Sequence, residues 1–507
     1  MRKRRNILLL AGLFFCFANV FCQKNKVISI IPDTTWKILV PDAYGVNTQT
    51  AAGPSWNDKT FLEMINQLKL GNMRYPGGTI GNYMDWRTGQ FMYTDARDPN
   101  KGPVYGTYKG KDHRKIKINT YRPEELKNAI DLNGATPIYM VNMLTDTLGS
   151  TLEMLAHCEE IGLPVKYIEL GNELYLTYFA GGSIENNIPG DYASPYHFPT
   201  ARSYAEECNK WIKAIKERYP QAEISYLVVF GRDWEKWHIN SPRSVEWNQT
   251  MFDNIVGTDR VSVHHYAKIF KQTNALDGLW YSMYEFLSCF EFIQTTLKDK
   301  KVWFTEYNNK DGNINNDPNR PENPWGGRWI HGINMAMITC MMLNLPQVEL
   351  TCIHNLAANP AAALITYNNF TIPPCPEDEI GANIKKLEFT ATGVTHVILG
   401  NALNHASKMQ LLSFSNNPEI KVTSGVLLSV YGAAFDDKGT KRLLLFNISD
   451  RSKQVDLNNF NQLSSVESYY MDSLTEPVTG INSVSHKKNT FNNGIVILPP
   501  FSVSIVM

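Results

Sequence analysis

The chain has 507 residues, enough for a large catalytic domain plus a smaller one. Hydrophobic residues make up 43% and charged residues 19%, which excludes a disordered chain. The formal net charge is +0, and beyond residue 5 the only basic stretch, 109–117, is short and interrupted, which argues against a nucleic-acid partner.

Arg2-Lys-Arg-Arg5 precedes an apolar run from Ile7 to Cys22, and Gln23-Lys-Asn-Lys26 follows. This has the charged start and short apolar middle of a secretory signal peptide, and the run is too short for a comfortable membrane span. The expectation is a signal over 1–22 and a secreted or periplasmic protein with no membrane span after signal removal. An uncleaved anchor is the alternative. Beyond residue 22 lie Cys158, Cys208, Cys289, Cys340, Cys352 and Cys375. Their spacing fits neither a zinc site nor a disulfide framework, so free, buried cysteines are expected.

Residues 23–40 hold a strand expected to join a sheet formed later in the chain. Over 41–380, strand-like and helix-like segments alternate. The strands fall at 43–47, 71–75, 136–142, 166–170, 223–230, 260–266, 301–305 and 348–354. Helical patterns at 60–70, 123–132, 151–161, 200–219, 282–297 and 329–343 separate most of them. Eight strands alternating with helices predict an α/β fold, a (β/α)8 TIM barrel. A doubly wound open sheet is the runner-up, weakened because no glycine-rich phosphate fingerprint follows the first strand. Three long connections, 76–121, 176–199 and 308–328, each follow a strand. They are therefore expected on one face of the barrel, around a binding site. Over 381–507 a helix at 390–403 precedes short alternating strands, which predicts a C-terminal β-sandwich domain.

Two glutamates stand out against this pattern. Glu173 ends Lys166-Tyr-Ile-Glu-Leu-Gly-Asn-Glu173, and Glu306 ends Lys301-Val-Trp-Phe-Thr-Glu306. Each follows an apolar run that reads as a buried strand opening into a loop, where an acid is costly unless paired or functional. Two carboxylates at the ends of different barrel strands are what glycoside hydrolysis needs. Glu173 is the proton donor in this reading and Glu306 its partner. Their separation decides between retention and inversion of the anomeric centre. A loop carboxylate and a structural ion pair are the plainer alternatives.

Supporting groups occur at other strand ends. Arg74, in Asn72-Met-Arg-Tyr75, is suited to hold Glu306 ionised. His264 and Tyr266 share one face of the strand Val261–Tyr266, because side chains alternate. There a tyrosine hydroxyl would position Glu306 and the histidine would contact substrate. Asn172 is suited to bind a sugar hydroxyl. Asn142, Asn47, Trp86 and His354 are weaker candidates, each with a structural role as the plainer explanation.

At these residues the chain resembles the retaining glycoside hydrolases of clan A. It is most similar there to the α-L-arabinofuranosidases of family 51 and the heparanase-like β-glucuronidases of family 79. The motifs are Met73-Arg-Tyr-Pro-Gly-Gly78, Glu169-Leu-Gly-Asn-Glu173, Ser262-Val-His-His-Tyr266 and Phe304-Thr-Glu-Tyr-Asn308. The resemblance implies Glu173 as acid/base after strand four and Glu306 as nucleophile after strand seven. It implies Asn172 on the hydroxyl next to the reacting carbon, with Arg74 and Tyr266 flanking the nucleophile. It also implies that the helix 390–403 and Leu498-Pro-Pro-Phe-Ser-Val-Ser504 begin and end an accessory β-domain. Glu173 is followed by Leu-Tyr, and Thr-Glu-Tyr-Asn lies between the patterns of the two families, so clan is read here and sugar is not. A glucuronidase would need cations for the sugar carboxylate, for which Arg232, Lys268 and Arg328 lie near strand ends. The expected activity is double-displacement hydrolysis of poly- or oligosaccharides by an exported enzyme. The alternatives are a transglycosylase and a non-catalytic carbohydrate-binding barrel. No metal or organic cofactor is implied.

Overall fold

The computed structural model describes residues 27–507 except 34, 49, 51–52, 93–104, 107–120, 177–196, 231–244, 268, 270–273, 310–324, 358–362, 368 and 492–493. The signal-like residues 1–22, Arg232, Lys268 and much of the three long connections lie outside the described residues.

Eight strands form a closed barrel: β1 (Tyr44–Asn47), β2 (Asn72–Tyr75), β3 (Thr136–Met140), β4 (Tyr167–Glu169), β5 (Glu223–Leu227), β6 (Arg260–Ala267), β7 (Lys301–Asn309) and β8 (Val348–His354). They pair in chain order, all parallel, and β8 closes on β1. A helix follows each strand: Lys59–Gln67, Pro123–Asn133, Leu148–Glu160, Ala201–Arg218, Trp247–Asn254, Ala275–Thr295, Trp329–Leu343 and Ala391–Leu403. This is the (β/α)8 TIM barrel that the alternation predicts.

Local chemistry sets the helix ends. Asp58, Thr147, Thr200 and Thr390 accept hydrogen bonds from backbone N–H groups three residues on. Pro123 opens its helix, and Gly134, at φ 75°, closes it in the left-handed region. Trp247–Asn254 is not evident in the sequence, because Trp247 and Met251 are its only buried residues and leave little periodicity. Trp247 is nevertheless anchored: its indole N–H donates to the Leu227 carbonyl at 2.9 Å, and its ring stacks on Tyr204.

The last helix, Ala391–Leu403, is apolar nearly all round and buried. It packs between Trp329–Leu343 and the large C-terminal sheet, so barrel and sheet share one continuous core. Gly400 allows the close approach: a Cβ there would sit 2.0 Å from the Leu68 carbonyl oxygen.

The C-terminal region forms two facing sheets, as a sandwich requires. The larger has seven strands, and the smaller has four, Ser413–Ser415, Ile28–Ile31, Lys453–Asp456 and Ile495–Leu498 in spatial order. Ile28–Ile31 thus pairs with two C-terminal strands across nearly the whole length of the chain. Ile28, Ile30, Leu443, Leu445, Val455 and Val496 form the core between the sheets. The cysteines Cys158, Cys208, Cys289, Cys340, Cys352 and Cys375 are all buried and free.

One strand departs from the sequence reading in a way that matters. β7 does not end at Thr305 but runs through Glu306 to Asn309. Phe304 pairs with Val263 and Glu306 with His264, so Thr305 is an extra residue in the ladder. On the other side, Phe304 pairs with Thr351 and Tyr307 with Ile353, again with one residue too many on β7. This β-bulge breaks the alternation of sides. Phe304 and Tyr307 both pack in the main apolar core, while the consecutive Thr305 and Glu306 both reach the polar centre of the barrel.

Candidate active site

Inside the barrel, side chains stack in layers. Ile138, Tyr167, Trp303, Leu350 and Cys352 form an apolar layer. Toward the carboxyl ends of the strands the filling turns polar. Asn47 on β1, Arg74 on β2, Glu169 on β4, His264 on β6, and Thr305 and Glu306 on β7 converge there, all buried.

Arg74 is the hub. Its guanidinium donates through Nε to Glu169 at 2.5 Å, through one terminal nitrogen to Glu306 at 3.1 Å, and through the other to Asn172 Oδ1 at 2.8 Å. A planar fork suits three acceptors held by β4, the loop after it and β7. Burial opposes its charge, but Glu169 and Glu306 more than offset that, so Arg74 stays cationic.

Glu306 accepts from Arg74 and from Asn47 Nδ2 at Oε2, each at 3.1 Å, and from the Tyr266 hydroxyl at Oε1, at 2.5 Å. Burial pushes its pKa up, while His354, His264, Arg74 and the Tyr266 hydroxyl pull it down further, to about 2. Burial holds His354 itself below the ordinary imidazole range, so near neutral pH it reaches Glu306 as a dipole, and His264 and Arg74 carry the positive charge. Glu306 is thus an ionised carboxylate with fixed orientation. Tyr266 is held protonated by burial and by the Glu306 charge, and so acts only as a donor to it.

Glu173 follows the Gly171 turn and adopts φ 46°, a left-handed conformation that costs a non-glycine residue roughly 1–2 kcal/mol. That conformation turns its side chain back toward β6. Its Oε1 lies 3.1 Å from His264 Nδ1 and accepts from the Tyr175 hydroxyl at 3.2 Å. His264 Nδ1 is also 3.8 Å from Glu306 Oε2. One nitrogen this near both acids bounds those two oxygens to within about 7 Å of each other.

His264 is buried, which favours its neutral form, yet Glu306, Glu169 and Glu173 outweigh burial and push its pKa up to about 9. The contact with Glu169 is indirect: the carboxylate is 3.9 Å from Nε2, and the Thr305 hydroxyl stands between them. A pH dependence of stability follows. His264 contributes fully below about 6.5, and its contribution is lost as pH rises through about 9. Glu306 contributes above about 4.5 and loses its effect as pH falls toward about 2. His331 and His396 are buried neutral with pKa values near 4, so they destabilise as pH falls from about 6.5. Thermal melting across pH is expected to show a maximum near 6.5, and His264→Asn should flatten the limb between 6.5 and 9.

The other sequence candidates divide clearly. Asn172 is buried, with Oδ1 on Arg74 and its backbone clasped by Asn82; its Nδ2 has no hydrogen-bond partner among the described residues. His354 lies beside Glu306, with Nδ1 3.5 Å from Oε1, and takes a hydrogen bond on its carbonyl from Asn308. Asn142 does not join the group: its side chain accepts from Leu144 N and Thr145 N and donates to Thr145 and the Met84 carbonyl, closing a turn. Trp86 packs on His157 under the Arg87 guanidinium and donates to Ser150, outside the carboxylate cluster. Arg328 is fully buried against Asp378 and the carbonyls of Pro373, Ile380 and Thr475, where it joins the barrel to the C-terminal region. Glu169 and Thr305 belong to the site but escape sequence reading. Glu169 lies inside an apolar run, and a buried acid there was a signal that could have exposed it. Thr305 lies two residues past the inward Trp303 and faces the barrel centre by plain alternation, and it is Glu306 that the bulge brings in beside it. Among the described residues no group of three or more His, Cys, Asp or Glu could hold a metal ion.

Fold and site together define a (β/α)8 barrel with a C-terminal β-sandwich and an acid at each of β4 and β7, around a buried arginine. No protein-family profile matches the chain, and no curated protein sequence does. Solved structures do. A thermostable family 51 α-L-arabinofuranosidase from Thermotoga petrophila superposes with a TM-score of 0.61 at 16% identity, over 95% of this chain and 99% of that one. A family 51 α-L-arabinofuranosidase from Bifidobacterium longum gives 0.62 at 15% identity, over 95% and 98%. A 4-O-α-L-rhamnosyl-β-D-glucuronidase from Fusarium oxysporum gives 0.57 at 14% identity, over 95% and 99%. The architecture is therefore similar to that of these glycoside hydrolases along nearly its whole length.

Proposed function

We propose that this protein is a retaining glycoside hydrolase in which Glu306 is the nucleophile and Glu173 the acid/base. The observation that carries the reading is the pair of acids held by one histidine, with oxygens bounded at about 7 Å. That upper bound, on one pair of oxygens, is compatible with the roughly 5–5.5 Å separation of the carboxyl groups in retaining enzymes. Glu306, ionised and held by Arg74, Asn47 and Tyr266, attacks the anomeric carbon. Glu173 gives its proton to the departing oxygen, then takes one from the water that releases the sugar. Asn172 Nδ2, without a hydrogen-bond partner among the described residues, suits the sugar hydroxyl beside the reacting carbon, where a hydrogen bond strengthens in the transition state.

For the sugar, the reading is an α-L-arabinofuranoside rather than a β-glucuronide, because the family 51 arabinofuranosidases superpose with TM-scores of 0.61 and 0.62 and the glucuronidase with 0.57. Arg74, one of the buried cations of the site with His264, is already engaged by three acceptors. Arg328 is turned to the C-terminal region. Among the described residues, then, these two arginines are committed elsewhere than to a sugar carboxylate. The signal-like N-terminus adds that the enzyme acts after export, on polysaccharide or on oligosaccharides cut from it; among the described residues no helix is long and apolar enough to cross a membrane.

The test is a screen of 4-nitrophenyl glycosides, with α-L-arabinofuranoside and β-D-glucuronide side by side, followed by NMR of the first-formed anomer. The expected result is turnover of the arabinofuranoside with retained configuration. An inverted first product removes Glu306 from the nucleophile role, and turnover of the glucuronide alone overturns the sugar assignment.

A further inference from the structure

Beneath the catalytic pair runs a chain of hydrogen bonds that neither acid needs for its own binding. Arg74 Nε donates to Glu169 Oε2 at 2.5 Å. Glu169 Oε1 lies 2.6 Å from the Thr305 hydroxyl, which lies 3.0 Å from His264 Nε2. His264 Nδ1 lies 3.1 Å from Glu173 Oε1. Glu169, Thr305 and His264 are all buried.

Donor and acceptor rules fix the direction of this chain. Arg74 can only donate, so Glu169 accepts at Oε2. Burial acts against the Glu169 charge, but Arg74, His264 and Thr305 prevail and keep it ionised, an acceptor at Oε1 as well. Thr305 has one hydroxyl proton, and the charged acceptor takes it. What remains on the Thr305 oxygen is lone pairs, so His264 Nε2 must carry a proton to bond there. The ring then has one site left to vary, Nδ1, and it faces Glu173.

We propose that Glu169 and Thr305 are positioning residues that lock a proton on His264 Nε2, so that the Nδ1···Glu173 hydrogen bond holds the proton passed to the departing oxygen. The inference rests on the hydrolase reading for its purpose, although the lock itself needs no substrate. The step balances. When the glycosidic C–O bond breaks, the leaving oxygen gains the bridging proton. His264 is left neutral with a bare Nδ1 against the Glu173 carboxylate. That opposition of lone pairs favours taking a proton back from the attacking water, which restores the bridge. The charged and titratable groups facing His264 are Glu169 and Glu173 from β4 and the loop after it, Glu306 from β7, Arg74 from β2 through Glu169, and His354 from β8.

Glu169→Gln makes the lock testable. Arg74 still demands an acceptor at Nε, so the amide oxygen turns to it and the amide NH2 faces Thr305. Thr305 must then accept from Gln and donate to His264 Nε2. The chain reverses, the ring proton moves to Nδ1, and Nε2 becomes bare. The readout is 15N NMR of histidine-labelled full-length protein across pH, with the His264 signals identified by their loss in His264→Asn. The wild-type protein is expected to keep Nε2 protonated throughout, with titration confined to Nδ1. Glu169→Gln is expected to show the Nδ1–H tautomer and to lose the alkaline titration, while Thr305→Ser, which keeps the hydroxyl, should match wild type. A bare Nε2 in the wild-type protein overturns the lock, whichever variants fold. An unchanged His264 signature in Glu169→Gln, or a changed one in Thr305→Ser, overturns it equally. The measurement uses no sugar, so the lock stands or falls separately from glycoside cleavage.

Discussion

Glu306→Gln is expected to lower kcat by about 10⁴-fold or more on the best chromogenic substrate, the scale on which losing a nucleophile acts in covalent mechanisms. The substitution preserves volume: its single amide oxygen can still accept from Arg74 and Asn47, while its NH2 faces the Tyr266 hydroxyl, which can accept. What it removes is the negative charge that attacks the anomeric carbon. The fold is expected to survive in part because Glu169 continues to compensate Arg74. Circular dichroism and thermal melting separate the two effects. A folded Glu306→Gln protein with turnover within tenfold of wild type would show that another group attacks. With Glu306→Ala, added azide is expected to occupy the vacated space and form a glycosyl azide of inverted configuration.

Glu173→Ala should behave differently. A general acid matters in proportion to how much help the leaving group needs. Substrates with poor leaving groups are expected to lose about 10²–10⁴-fold in kcat, the range general acid–base catalysis contributes. Dinitrophenyl glycosides, which leave unaided, should form the glycosyl-enzyme almost normally and stall before hydrolysis. Azide is then expected to accelerate turnover and give a glycosyl azide of retained configuration. The side chain is half-buried and its hydrogen bonds among the described residues run to His264 and Tyr175, so its removal perturbs the fold less than loss of Glu306. Equal losses for good and poor leaving groups, with no effect of azide, would assign Glu173 a role other than proton transfer.

Much of the fold was legible because each layer of a (β/α)8 barrel repeats a simple pattern. The eight apolar runs and most of the intervening helices show in the residues, since burial on both faces of a parallel strand demands continuous apolar sequence. The helix Trp247–Asn254 does not show, because its two buried residues are too few to set a period. Of the site, the residues closing strands were visible: Arg74, Glu173, Glu306 and the His264–Tyr266 pair each interrupt apolar sequence with polarity. Asn142 and Trp86, the weaker candidates of the sequence, have other partners in the structure: the first closes a turn and the second packs on His157.

The sequence by itself determined the order of strands and helices, the two acids, and the residue types able to hold them, because periodicity and the cost of burying charge act locally along the chain. Only the tertiary structure decided which groups meet. Closure of the barrel brings Glu169 of β4 to Arg74 of β2, and the bulge in β7 turns Glu306 inward beside Thr305. The physical reason is that hydrogen-bond direction and pKa depend on distances across strands that are far apart in sequence. Glu306 is held ionised by Arg74, 232 positions away, and no local pattern carries that information.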